Sequence, residues 1–160
     1  MNNANLSETA NERGAEISRQ VERFVRSVII PYEKDRRWSE HGPTEELIQE
    51  MRDKARDAGL LSPHILEDGS HLSQVETALI LQAAGLSPLG PVAVNVLAPD
   101  EGNMYMLGKI ATAEQKERFL KPIVGGRVRS AFFMTEPAAE GGAGSDPSMM
   151  KTSAKLEGNQ

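Results

Sequence analysis

The sequence contains no cysteine, so a disulfide framework, a thiolate zinc site and a cysteine nucleophile are all excluded. It has no basic excess either: 18 Lys and Arg stand against 23 Asp and Glu, for a net charge of −5. The electrostatic footprint of a nucleic-acid binder is therefore missing. No apolar run approaches the roughly 18 residues of a membrane span. Met1 is followed by Asn2, Asn3 and Asn5 instead of a basic patch and an apolar stretch, so no secretory signal is visible. These absences read as a soluble, cytoplasmic protein. The 160 residues are 39% hydrophobic and 26% charged, ordinary globular usage. A chain of this length buries about 70% of its unfolded surface without covalent staples.

Residues 1–14 are polar and without periodicity, and read as a disordered tail. From there the helical period sets in. Ile17, Val21, Phe24, Val25, Val28, Ile29 and Tyr32 form one apolar stripe, which Pro31 should kink or loosen. A second helix is predicted from Pro43 to Ala58, with Gly59 as its left-handed stop. Ser73 and Glu76 make a capping box ahead of a third helix, apolar nearly all round and so expected to be central, which Gly85 ends. Prolines then divide the chain into pieces near 91–98 and 100–108. Thr112 with Gln115 repeats the capping box before a helix carrying Phe119, Leu120 and Ile123 to Gly125 and Gly126.

Beyond those glycines the period changes to two. Val128, Ser130, Phe132 and Met134 alternate with Arg129, Ala131, Phe133 and Thr135, the pattern of a strand. Lys151–Leu156 is a second strand candidate, and Glu157, Gly158 and Asn159 form a turn. The fold class is α+β: an all-α domain over 15–126, followed at 127–160 by the first strands of a truncated β domain.

Most of the chemistry-bearing residues have bland explanations. His41, His64 and His71 lack metal-ligand spacing and read as surface or satisfied histidines, so no metal is expected. Ser145 has no glycine after it where a nucleophile elbow requires one, and Gly141–Gly144 lacks the Lys-Ser/Thr of a P-loop. The segment Phe132–Ser148 differs. A strand runs into Pro137, which cannot sit in a central ladder, and the chain then crosses three glycines before Ser145 and Asp146. Close-approaching amides and a serine hydroxyl suit phosphate oxygens, although an empty surface loop has the same composition.

Phe132-Phe133-Met134-Thr135-Glu136-Pro137 followed by Gly144-Ser145-Asp146-Pro147 resembles the T-E-P…G-S-D signature of the acyl-CoA dehydrogenase family. Glu114–Leu120, Pro122, Ile123 and Gly126 look like the helix and turn that lead into it, and Pro99–Met104 resembles one branch of the family. The resemblance covers about residues 15–160. It implies a helical domain, a β domain and a C-terminal helical domain, assembled as a homo-oligomer, with FAD as cofactor. The implied reaction, part of fatty acid metabolism, is oxidation of an acyl-CoA substrate to the 2,3-enoyl form. Electrons would pass to electron-transfer flavoprotein or a similar acceptor.

Carried over by position, the backbone at Phe132 and Met134 would meet the flavin's pyrimidine edge, and Thr135 would donate to it. Gly144 and Ser145 would approach the pyrophosphate, and Ser145 would also reach the CoA moiety. The loop 138–143 is about three residues longer than the usual family spacing. No acidic residue matches the family's catalytic base, so no catalytic residue is assigned and the segment alone is expected to be inactive. The same front half would serve an acyl-CoA oxidase, a flavin monooxygenase or a nitroalkane oxidase. A non-catalytic truncated paralogue that binds partner subunits is the reading of a different class.

Overall fold

Proline decides where the first long helix changes character. In the structure, a computed structural model that describes residues 3–66 and 69–158, helix α1 spans Asn3–Phe24. It passes into a π turn at Val25–Ile29, where the N–H of Ile30 reaches the carbonyl of Val25, and then into a 3-10 stretch at Ile30–Lys34. Pro31 offers no N–H and its ring crowds the preceding turn, so the regular ladder cannot continue. The apolar stripe nevertheless stays inward, with Val21, Val25 and Ile29 fully buried.

A two-stranded antiparallel hairpin, β1 (Trp38–Ser39) and β2 (Gly42–Pro43), leads into α2 (Glu45–Asp57). The hairpin takes Pro43, so the helix starts just after the predicted point, with Thr44 as its cap. The Thr44 hydroxyl accepts from the Leu47 amide at 3.3 Å. Glu45 and Glu46 in the first turn and Lys54 and Arg56 in the last complement the helix dipole. Gly59 then adopts a φ of +70°, the left-handed stop read from the sequence.

Helix α3 (Gln74–Ala84) opens with the predicted capping box. Ser73 accepts from the Glu76 amide, and the Glu76 carboxylate accepts from the Ser73 amide at 2.9 Å. It is covered on one side only: Ile80, Ala83 and Ala84 are buried, while Val75 is 60% exposed. The covering partner is α1, where Gly14 permits the approach. A Cβ on Gly14 would lie 2.7 Å from Cγ of Glu76. Helices α4 (Gly90–Ala93) and α5 (Asp100–Ile110) follow, separated by a cis Ala98–Pro99 bond. The second predicted capping box opens α6 (Ala113–Gln115); a π turn at Lys116–Leu120 then precedes α7 (Lys121–Val124) and Pro122.

The main core joins Val21, Phe24, Val25 and Ile29 to Leu47, Met51 and Ala55 of α2 and to Ile80, Ala83 and Ala84 of α3. A second cluster gathers Met104, Leu120 and Ile123, with Ile65, Leu107 and Val124 against it. The protein is thus mostly helical with one small sheet.

The chain divides into two compact units, Met1–Ser130 and Ala131–Gln160. The strands expected at Val128–Thr135 and Lys151–Leu156 are not formed among the described residues. A strand exists through its ladder, and among its described residues the second unit supplies one bridge only, Glu136 to Gly144. Residues 3–14, expected as part of a disordered tail, instead form the first turns of α1, with Gly14 packed against Glu76; Met1 and Asn2 of that tail, and Asn159, the last residue of the expected turn, lie outside the described residues.

Candidate functional site

The second unit is organised by one carboxylate. Glu136 and Gly144 pair as an antiparallel bridge, the Glu136 amide donating to the Gly144 carbonyl at 3.0 Å. This closes the loop 137–143, which a 3-10 turn at Ala138–Glu140 starts and Gly141 reverses at a φ of +77°. Glu136 then accepts from the amides of Ala143 and Lys151, each at 2.9 Å, and from the amide and hydroxyl of Thr152. The Thr152 hydroxyl and the three amides hold its carboxyl down at about 2, well below the usual carboxylate range. Beyond the bridge, Asp146 caps the turn Pro147–Met149, accepting from the Ser148 amide and hydroxyl at 2.9 and 2.6 Å.

The bridge brings the two halves of the sequence signature together, setting Thr135 and Glu136 beside Gly144 and Ser145. Thr135 and Ser145 are exposed and donate to no group among the described residues. Gly142 is hemmed in: a Cβ there would lie 2.7 Å from Cβ of Glu136 and 3.0 Å from the Pro137 carbonyl. Beside it, Glu136, Pro137, Gly141, Gly142, Lys151 and Thr152 line a shallow depression of about 330 Å³. Side-chain-free backbone next to unclaimed N–H and hydroxyl donors is the chemistry that phosphate oxygens and a flavin edge call for. On that count the residues fit FAD. Phe132 and Met134 lie in the run ahead of the bridge with side chains 67% and 64% exposed, and nothing in the unit packs them into a site.

Within the first unit, the start of this segment is fixed by α5. The carboxylate of Asp100 accepts from the amide and hydroxyl of Ser130 at 2.6 and 2.7 Å, and Asn103 donates to the same hydroxyl at 2.8 Å. Two positions of the Pro99–Met104 motif thus have a mechanical reason to be what they are. Val92, Val96 and Met104 are buried; Val96 lies in the main core, and Met104 and Leu107 in the second cluster.

Two polar constellations escaped the sequence reading. The first is Arg52, 2% exposed, whose guanidinium donates to the carbonyls of Val92 at 3.3 Å and Gly126 at 3.0 Å and to Asn95 Oδ1 at 2.9 Å. Burial pulls its basicity down, and among the described residues no carboxylate is in contact with it. Asn95 continues the network to the Ser62 hydroxyl and the Ile123 carbonyl. The second corrects the histidines: His64 is fully buried and neither ring nitrogen has a partner among the described residues, so it is not the satisfied histidine expected. It sits with His71 and Glu101, brought together by a loop and a helix start that no local spacing connects.

With this geometry in view, the relatives are informative. Residues 11–127 match the family model for the acyl-CoA dehydrogenase N-terminal domain. Acyl-CoA dehydrogenase family member 11 of Gallus gallus is 34% identical over 157 residues, covering 93% of this chain and 20% of that protein. Family member 10 of Mus musculus is 35% identical over 153 residues, 86% of this chain and 14% of that protein. A solved Mycobacterium abscessus structure assigned to the acyl-CoA dehydrogenases superimposes with a TM-score of 0.62 at 32% identity, over 78% of this chain and 34% of that one. The helical unit is therefore of the acyl-CoA dehydrogenase N-terminal type. The chain belongs to the acyl-CoA dehydrogenase family and spans about a fifth or less of the length of the two curated relatives it is compared with here. No helix among the described residues is long and apolar enough to cross a membrane.

Proposed function

We propose that this chain contributes the helical domain and the flavin-edge loop of an FAD-dependent enzyme that oxidises an acyl-CoA thioester to its 2,3-enoyl form. The observation that carries the proposal is the Glu136–Gly144 bridge, which sets two hydroxyl-bearing residues with unclaimed donors, Thr135 and Ser145, on either side of one turn. Family membership supports the reaction class. In this reading FAD, when bound, supplies the two-electron acceptor for the substrate's β carbon.

The chain's residues have distinct parts. The hydroxyl and N–H of Thr135, with the backbone at Phe132 and Met134, present donors to the pyrimidine edge, where negative charge collects on reduction. Ser145 and the Gly144 backbone hold the pyrophosphate, and Ser145 also contacts CoA. Glu136 keeps the turn in shape; its described interactions are with the backbone of Ala143, Gly144, Lys151 and Thr152 and with the Thr152 hydroxyl, so it is a positioning residue and not a proton acceptor. No residue of this chain is proposed as the base. Assembly as a homo-oligomer and electron transfer to a flavoprotein acceptor belong to the same proposal.

The test is made on the protein at the length of its relatives. The wild type should purify yellow, or become so with added FAD, and should reduce a flavoprotein acceptor when given acyl-CoA. Thr135→Val should retain FAD and lower its midpoint potential. A colourless protein that cannot be reconstituted would overturn the reading, and an unchanged potential would remove Thr135 from the flavin edge.

A further inference from the structure

We infer that His64, His71 and Glu101 form a binding site for one divalent transition-metal ion of zinc type. The three side chains each offer a ligand atom, and those atoms all lie within 4.8 Å of one another. His71 Nε2 is 3.2 Å from Glu101 Oε1, a separation ordinary for two neighbouring ligands of one ion. The His64 and His71 rings stand edge to face with centroids 5.1 Å apart.

The hydrogen bonding of His71 points the same way. Its Nδ1 lies 2.7 Å from the Leu72 carbonyl, which can only accept, so the proton sits on Nδ1. Nε2 then turns its lone pair toward a carboxylate, two acceptors face to face. A metal-bound histidine has this arrangement: one nitrogen donates to a carbonyl and the other ligates. Tyr105, packed edge-on at 4.9 Å, fixes the plane of the ring.

His64 supplies the independent observation. It is fully buried, and among the described residues neither ring nitrogen has a partner. A proton on His71 Nε2 would answer Glu101 but leave His64 as it is. A metal ion engages a nitrogen of His64, the lone pair of His71 and the carboxylate together.

Two imidazoles and one carboxylate suit zinc and its neighbours better than calcium or magnesium, which prefer oxygen. His71 also lines, with Tyr105 and Lys109, a neighbouring cavity of about 370 Å³. The ion would clamp the connection between α2 and α3, which carries both histidines, to the first turn of α5. Asp100 in that same turn holds Ser130.

The test uses the whole chain, stripped with chelator and titrated with Co²⁺, and does not depend on the flavin reading. One Co²⁺ per chain with intense visible bands, displaced by Zn²⁺, is expected, and X-ray absorption should report two imidazole ligands. His71→Gln and Glu101→Gln should abolish the bands while circular dichroism stays that of the wild type, and His41→Gln should change nothing. His64→Gln should also abolish them; because that site is buried, the other two variants carry the test if it does not fold. Absence of stoichiometric binding, or bands that survive His71→Gln, overturns the proposal.

Discussion

The carboxylate of Glu136 reaches across its own loop to the backbone beyond it, with the amide nitrogens of Lys151 at 2.9 Å and Thr152 at 2.5 Å. One side chain therefore holds both ends of the segment that carries Gly144 and Ser145.

That arrangement is acid-sensitive in a defined direction. The Thr152 hydroxyl and the three amides lower the Glu136 carboxyl from 4.5 to about 2. A lowered carboxylate stabilises the fold fully above its unfolded value, and the contribution is lost as pH falls toward the folded one. The Ala143, Lys151 and Thr152 amides should lose protection against exchange, measured relative to unstructured amides at the same pH, as the pH drops below about 4.5 toward about 2. Carbon-detected titration should give Glu136 a midpoint near the lower value; a midpoint at the ordinary one would contradict the loop geometry.

Gly142→Ala should disturb the same loop without touching the helical unit. The added Cβ would meet Cβ of Glu136 at 2.7 Å, closer than side-chain carbons approach. Amide shifts of Ala138–Ser148 are expected to move while those of α1 to α3 do not. In the flavin-binding form of the protein, FAD affinity should fall.

Glu76 joins α1 to the start of α3. It is 1% exposed and accepts from Arg13 at 2.7 Å and from the Ser73 hydroxyl at 2.6 Å. Burial pushes its carboxyl up, but Arg13 and Ser73 outweigh that and hold it below the usual range. Glu76→Ala removes half of a capping box and strands a guanidinium, and should cost about 2–3 kcal/mol in denaturant unfolding. A loss no larger than that of an exposed glutamate on α2 would count against the network.

Arg52→Met tests the buried guanidinium. It preserves the side chain's bulk but leaves the Gly126 carbonyl and Asn95 Oδ1 without their donor, at an expected cost of about 2–4 kcal/mol. Arg52→Lys should recover little, because one ammonium cannot cover acceptors arranged for a planar fork. Full recovery by lysine would show that charge, not shape, is what matters there.

Features written in neighbouring residues were legible before any coordinates. Both capping boxes, the left-handed stop at Gly59 and the loosening at Pro31 need only a few adjacent positions, and each is found where it was read. The family resemblance singled out Thr135, Gly144 and Ser145, but the bridge that pairs Glu136 with Gly144 was not read from it. What stayed hidden depends on chain distant in sequence. Arg52 is buried because carbonyls 40 and 74 residues away turn toward it. His64, His71 and Glu101 meet through a loop fold with no periodicity, and the strand pattern at Val128–Thr135 promised a ladder that needs a neighbour to exist. Glu136 was recognised as part of the signature, but nothing in its spacing announced that it would gather amides from Ala143 to Thr152.

The wide turn ahead of Pro31 sets a numerical constraint on evolution of the first helix. A π turn accommodates one surplus residue, and each residue in a helix advances the azimuth by about 100°. Deleting Ser27 would let the regular spiral run on to the proline and would place Ile30, itself apolar, four residues after Val25, so the inward stripe would survive the loss. Between Val25 and Ile29 the chain can therefore lose one residue and keep its inward face, whereas gaining one would add a second surplus residue to a turn that already holds one.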